Sequence, residues 1–423
     1  MTAATASSPA ADPVRWPEIA RVPTAPVRAV VARAMFARAA ARLRLTVRTP
    51  EGALADAGPG APEMRINRPA AFFRRLGADG AIGFGEGYMA GDWDTDDLAA
   101  VLSAFGDRYD SLVPAALRRL RPLYLRRRPR EEDQTIAGSR RNIRRHYDLS
   151  NELFAAFLDE TLTYSSALFA EDAEGRPVAG PGALAEAQRR KIDRILDLAG
   201  VRPGTRLLEI GTGWGELAVR AARRGAAVVT ITNSGQQYEL ARQRVRSAGL
   251  DGPVQVELCD YREVGGRYDA VVSVEMIEAV GDRYWPAYFG AIDRLLAPGG
   301  RAALQAITLP HDRMVGISRT YSWMDRYIFP GAVIPSVRAI EETQARHTSL
   351  RKASYRPMEA HYAQTLRTWR ERFTANAALV DRLGFDLVFR RMWCFYLAYC
   401  EAGFGTGLVN VGQYLLTRET ADT

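Results

Sequence analysis

From about Leu184 to Ile307 helix-like and strand-like patterns alternate, and this alternation constrains the fold more than any other feature. Leu184, Gln188, Lys191, Ile192, Ile195 and Leu198 share one face of a helix that Gly200 and Pro203 stop. Strand Thr205–Ile210 follows, then the turn Gly211-Thr212-Gly213-Trp214-Gly215 and a helix to Arg224. Strand Ala227–Thr232, a helix from Gly235 to Ala248, and strands Val254–Leu258 and Tyr268–Val274 come next. A helix from Tyr284 to Leu296 ends at Pro298-Gly299-Gly300, before strand Arg301–Ile307. Apolar strands separated by helices predict a parallel sheet covered on both faces, a doubly wound α/β domain.

In such a sheet ligands sit beyond the carboxyl ends of the strands. The glycine turn ends the first strand, and glycine there lets the backbone approach a bound molecule closely. Its Gly-Thr-Gly-Trp-Gly spacing is not the dinucleotide fingerprint, and no acid ends the second strand to hold a ribose. That strand ends instead in Thr232-Asn233-Ser234, with Gln236-Gln237 opening the next helix. The third strand ends in Cys259-Asp260-Tyr261, where Asp260 is placed to accept an adenine amino group. No Walker lysine follows any glycine turn. These features point to a nucleotide-like cofactor that is neither a dinucleotide nor a hydrolysed triphosphate.

The 423 residues are too many for one ordinary core and predict more than one domain. Residues 1–23 read as a disordered leader without the basic-then-apolar order of a secretion signal. Residues 24–130 read as a small α+β domain. Its Thr24–Leu45 stretch is helical, and the glycine-rich Gly80–Trp93 stretch reads as turns and short strands. Residues 131–423 form the larger domain. No run of about 18 apolar residues is present, so no membrane-spanning helix is predicted. The 3 cysteines and 4 histidines have no metal-ligand spacing, which predicts no metal site and fits a reduced cytosol. The net charge of +8 suits nucleic acid, an anionic membrane face, or neither. The Arg118–Arg130 tract, arginines interleaved with leucines and a tyrosine, reads equally as membrane contact and as a solvated linker.

The motifs then carry a resemblance. His146-Tyr147-Asp148-Leu149-Ser150-Asn151-Glu152-Leu153-Phe154, Leu162-Thr163-Tyr164-Ser165-Ser166-Ala167 and Leu208–Gly215 resemble the cyclopropane-fatty-acyl-phospholipid synthase family. So do Ser273-Val274-Glu275-Met276-Ile277-Glu278, Tyr327-Ile328-Phe329-Pro330-Gly331, His361–Leu366 and Phe395–Glu401. The resemblance implies a Rossmann-like methyltransferase sheet with helical lipid-binding insertions. It implies transfer of the methyl group of S-adenosylmethionine to a cis double bond of an unsaturated acyl chain in a membrane phospholipid. By motif, Tyr164 and Ser165 hold the cofactor's methionine end, and Gly211 and Gly213 back it. Thr232 and Gln237 lie on the ribose side and Asp260 meets the adenine. Glu209, Trp214, Asn233 and Tyr261 complete the cofactor set. Methyl transfer leaves a carbocation, which aromatic faces such as Tyr147, Tyr362 or Trp393 can stabilise.

Ring-forming members of the family use a bound bicarbonate as base, in a pocket of cysteine, glutamate, histidine and tyrosine. Mapped by motif, the catalytic set here is Ser166, Glu278, Gln305 and Tyr362, with serine for the cysteine and glutamine for the histidine. Ala279 replaces a further histidine. Serine and glutamine still donate hydrogen bonds, so bicarbonate retains a place. The changes favour a methylene-branched product over a cyclopropane, with a reductase to make the methyl branch. Two other readings stay open: a methyltransferase of another small molecule, and a non-catalytic lipid-binding protein. The motif of many nucleic-acid base methylators is missing, so no nucleic-acid partner is expected. The implied setting is cytoplasmic, peripheral at the inner face of the cell membrane, and the resemblance suggests a homodimer.

Overall fold

The computed structural model describes residues 11–106, 129, 134–135, 138, 149–180, 182–317 and 320–418. Tyr147 and nearly all of the Arg118–Arg130 tract lie outside the described residues. The chain divides into two compact units.

The first unit comprises Met1–Leu125 together with Ser322–Ile328 and Phe373–Thr406, a division that no single cut at residue 130 produces. It contains helix α1 (Pro26–Arg42), strands β1 (Thr46–Thr49), β2 (Gly52–Ala55) and β3 (Glu63–Ile66), and helices α2 (Pro69–Asp79) and α3 (Ala81–Ala90). Strand β4 (Trp93–Asp94) and helix α4 (Leu98–Gly106) follow. The sheet order is β2-β1-β3-β4. Two expectations are corrected here. The Gly80–Trp93 stretch is mostly the helix α3. Its glycines cost helix propensity, but packing requires them: a Cβ at Gly83 would collide with the Arg75 carbonyl, and one at Gly85 would lie 2.6 Å from Trp323 Cδ1. The leader is also not all loose, because Trp16–Arg21 is tied down. Trp16 Nε1 donates to Asp386 at 2.8 Å, and the buried Arg75 guanidinium donates to the carbonyls of Glu18 (2.8 Å) and Ile19 (2.5 Å).

The second unit carries helix α5 (Ala183–Leu198), strand β5 (Arg206–Ile210), helix α6 (Glu216–Arg223), strand β6 (Ala227–Thr232) and helix α7 (Gly235–Ser247). It continues with β7 (Val254–Leu258), β8 (Tyr268–Val274), α8 (Trp285–Leu295), β9 (Leu296–Thr308), α9 (Val337–His347) and β10 (Leu350–Pro357). Helix α10 (Glu359–Ala375), up to Arg372, and strand β11 (Asn410–Arg418) complete it. The described residues form a seven-stranded sheet of order β10-β11-β9-β8-β5-β6-β7. The strands from β5 to β9 pair in parallel, as the alternation predicts. The antiparallel pair β10 and β11 at one edge is an addition to that prediction. Neighbouring residues of a strand enter different core clusters: Leu208, Val271 and Leu304 one, Leu207, Val272 and Ala303 the other. Both faces of the sheet are therefore buried, which explains the near-continuous apolar runs. Among the described residues no helix is long and apolar enough to cross a membrane.

Candidate active site

The carboxyl ends of β5, β6 and β8 open onto one pocket. Gly211, with φ of 101°, closes its floor: a Cβ there would lie 2.6 Å from Met276 Cγ. Gly213, with φ of 53°, faces open space, so the backbone itself forms the pocket wall. Tyr164, Ser165, Glu209, Trp214, Thr232, Asn233, Gln237 and Tyr261 line the same pocket. Trp214 is fixed by Nε1 donating to Asn151 Oδ1 at 2.8 Å and by packing on Phe154. The Tyr164 ring stacks on Trp369, with centroids 5.2 Å apart. The Thr232 hydroxyl donates to Gln237 Oε1 at 2.9 Å, and Ser234 caps α7.

Asp260 is placed otherwise. It does not line the pocket, and Arg262 grips its two oxygens at 2.6 and 2.8 Å. Burial pushes this carboxyl up, but the Arg262 hydrogen bonds outweigh it and hold it below the usual range. Asp260 reaches the pocket through Asn233, whose Nδ2 donates to it at 3.2 Å. The other amide atom, Asn233 Oδ1, is buried and has no hydrogen-bond partner among the described residues. An orphaned acceptor on the pocket wall needs a donor from a ligand, and an adenosyl group offers hydroxyl and amino donors. The residues present thus fit S-adenosylmethionine.

The four expected catalytic residues are brought into one neighbourhood, but around a different carboxylate. Glu275, at the end of β8, lines the pocket and collects three donors. Tyr362 OH donates to Oε2 at 2.7 Å; the Ser166 backbone N–H and Gln305 Nε2 donate to Oε1 at 2.9 and 2.8 Å. Burial pushes the Glu275 carboxyl up, and the Gln305, Ser166 and Tyr362 hydrogen bonds and the Lys191 charge offset part of that rise. Glu275 has a φ of 51°, a left-handed backbone that glutamate rarely adopts. Strain of this kind persists where the surroundings over-determine it, commonly at functional sites.

Glu278, the motif's glutamate, does not line the pocket. One oxygen accepts from the Ile307 backbone N–H, and the other is buried without a hydrogen-bond partner among the described residues. Burial and the nearby Glu275 charge push its carboxyl up to about 8, so it is protonated at neutral pH. The Ser166 hydroxyl is also turned away, donating to the Ala167 carbonyl at 3.1 Å; only its backbone N–H serves Glu275. The donors expected for a bicarbonate ion therefore converge on a carboxylate of the chain itself.

One further residue escaped the motif reading. Lys191, fully buried on α5, lines the pocket and donates to Ser165 Oγ at 2.6 Å. Burial lowers its ammonium to about 8, against the raising charges of Glu275, Asp159 and Glu209. A lysine on the core face of an amphipathic helix was its signal in the sequence. Glu209, one of the expected cofactor residues, precedes the last residue of β5; Thr230 Oγ1 donates to its Oε2 at 2.7 Å, and burial pushes it up to about 8. Among the described residues, no group of His, Cys, Asp or Glu side chains is placed to hold a metal ion.

Comparison with known proteins agrees with this architecture. Residues 134–414 match the family model described as mycolic acid cyclopropane synthetase. A tuberculostearic acid methyltransferase, UfaA1 of Mycobacterium tuberculosis strain H37Rv, is 51% identical over 99% of this chain and 99% of its own. The cyclopropane-fatty-acyl-phospholipid synthase of Escherichia coli K12 is 32% identical over 85% of this chain and 89% of its own. The structure of mycolic acid cyclopropane synthase CmaA1 complexed with SAH and CTAB aligns with a TM-score of 0.59 at 29% identity, covering 68% of this chain and 98% of that one. The chain belongs to the mycolic acid cyclopropane synthetase family and is a lipid-modifying methyltransferase that takes its methyl group from S-adenosylmethionine.

Proposed function

We propose that the protein methylates the cis double bond of an unsaturated acyl chain in a membrane phospholipid, with Glu275 as base, and releases a methylene-branched chain of the 10-methylene type. The observation that carries this reading is the Glu275 carboxylate, held on the pocket wall by Tyr362, Gln305 and the Ser166 N–H. Gly211, Gly213, Ser165, Thr232, Asn233 and Gln237 would hold the cofactor, which supplies an electrophilic methyl group on a sulfonium. An alkene is a weak nucleophile, so the walls must exclude water and align the reacting carbons.

The new C–C bond consumes the alkene π pair and leaves a cation on the neighbouring carbon. A hydride moving from the methyl-bearing carbon to that cation produces a tertiary cation. Glu275 then takes a proton from the methyl group, and the C–H pair becomes the C=CH2 bond. Ring closure requires that proton to leave before the hydride moves. Three donors draw charge from Glu275 and slow its proton capture, which leaves time for the shift. The 51% identical relative also bears the name of a methyltransferase of a fatty acid, not of a ring-forming synthase. The alkene product requires a reductase to become a methyl branch.

The test is incubation with S-adenosylmethionine and oleoyl phospholipid vesicles. The chains are then analysed by mass spectrometry after derivatisation that cleaves alkenes. An exocyclic methylene is expected; a cyclopropane as sole product overturns the reading.

A further inference from the structure

Helix α1 has two apolar faces. Phe36 and Ala40 turn into the first unit, where Phe36 meets Phe72 and Phe73 edge-on at 5.4 and 6.1 Å. Val27, Val30, Val31 and Met35, at spacings of one helical face, are exposed at 76%, 71%, 54% and 44%. An internal stripe of this length would normally be covered. The same helix carries Arg28, Arg38 and Arg42 and no acidic residue, while its Arg33 pairs with Glu51 at 3.2 Å and lies over the Phe73 ring. We infer that this face of α1 is a docking surface for an anionic phospholipid bilayer, with the valines and Met35 at the acyl boundary and Arg28, Arg38 and Arg42 on lipid phosphates. The charge complementarity selects the occupant: a run of cations without acids repels a second copy of itself and suits an anionic headgroup layer. This inference rests on the phospholipid-substrate reading and extends it to how the protein reaches a bilayer.

The test uses the full chain and co-sedimentation with phosphatidylglycerol–phosphatidylcholine vesicles. The double variant V27E/V31E changes only exposed side chains. It should weaken vesicle binding at least about tenfold, while methylation of oleoyl phosphatidylglycerol dispersed in detergent stays at the wild-type rate. Wild-type-like vesicle binding by the variant overturns the surface. A shift in its oligomeric state by sedimentation velocity overturns it in favour of a second copy. If the wild type methylates no detergent-dispersed lipid, the substrate reading fails instead.

A separate observation concerns the amide of Gln305. Gln413 on β11 donates from Nε2 to the Lys191 backbone carbonyl at 3.3 Å and accepts at Oε1 from Arg194. A carbonyl can only accept and a guanidinium only donate, so Gln413 has one allowed orientation. The same Nε2 donates to Gln305 Oε1 at 3.1 Å, which forces Gln305 Nε2 toward Glu275 (2.8 Å) and the Ser166 carbonyl (3.3 Å). The structure assigns Gln413 as a positioning residue that fixes the Gln305 amide as a donor to Glu275. It rests on the role given to Glu275.

In Gln413→Glu the orienting donor becomes an acceptor, and Gln305 must turn its carbonyl toward Glu275. Loss of one hydrogen bond to a charged group should lower kcat roughly tenfold, with KM for S-adenosylmethionine unchanged. The acid limb of the kcat profile should move to higher pH, because Glu275 loses a donor to its ionised form. An unmoved limb overturns the assignment, as does a change confined to KM. Calorimetric S-adenosylmethionine binding reports whether the fold survives. If it does not, Gln413→Met takes the variant's place with the same outcomes. Full turnover by Glu275→Gln would instead refute the Glu275 reading itself.

Discussion

A carboxylate taken out of water remains an anion only where donors replace its hydration. Glu275 has three such donors, two of them side chains, whereas Glu278 accepts from backbone N–H groups. The donors therefore favour the ionised form more at Glu275 than at Glu278, whose carboxyl burial and the Glu275 charge push up to about 8. Glu275→Gln should lower turnover by about a hundredfold or more, the usual worth of a general base, with calorimetric S-adenosylmethionine binding retained. Glu278→Gln mimics the neutral acid and should keep turnover within about tenfold of wild type. The reverse order of losses would return the catalytic role to Glu278. The same charge state sets a stability trend. The folded-state pKa of Glu278 is raised from 4.5 to about 8, so the folded protein binds more protons than the unfolded chain between those values. The stabilisation is full below pH 4.5 and is lost as pH rises through about 8. Glu209 adds the same sign over the same window. Thermal unfolding of Glu278→Gln from pH 5 to 8 should therefore show a shallower decline in Tm than wild type. An identical slope would mean that Glu278 is ionised throughout.

At the scale of elements, legibility followed burial. Strands β5 to β9 are covered on both faces, so their apolar runs and Gly/Pro stops mark them in the sequence. Strand β10 is mostly exposed or half-buried, and β11 carries Asn410, Gln413 and Arg418 among its apolar residues, so both lack that mark. Helix α3 was hidden because glycine reads as a turn, whereas here Gly83 and Gly85 serve close packing. The same residue type in α8 has the opposite meaning, since Gly290 has nothing within 4 Å of an added Cβ. Gly83→Ala should therefore lower Tm, an overpacking cost of about 1–3 kcal/mol. Gly290→Ala should raise it, by roughly 0.5–1 kcal/mol of relieved chain entropy. Equal shifts of one sign in differential scanning calorimetry would contradict this packing account.

For the molecule as a whole, the pocket half at the ends of β5 and β6 was readable, because backbone turns and short motifs build it. The acceptor half was not. Its chemistry depends on which of two nearby glutamates meets Tyr362, Gln305 and the Ser166 N–H, and spacing alone does not decide that. Asp260 shows the same gap: its position was legible, but its commitment to Arg262 arises only in the folded chain. The division into units was likewise hidden, because Ser322–Ile328 and Phe373–Thr406 join a unit that begins far earlier in the sequence. In the proposed mechanism the chain supplies its own carboxylate where a bound anion would otherwise act. The most direct measurement is the methylation rate on oleoyl phospholipid in carbon dioxide-depleted buffer, with bicarbonate then restored by titration. A rate unchanged across the titration is predicted; a rate that collapses on depletion and recovers with bicarbonate would contradict it.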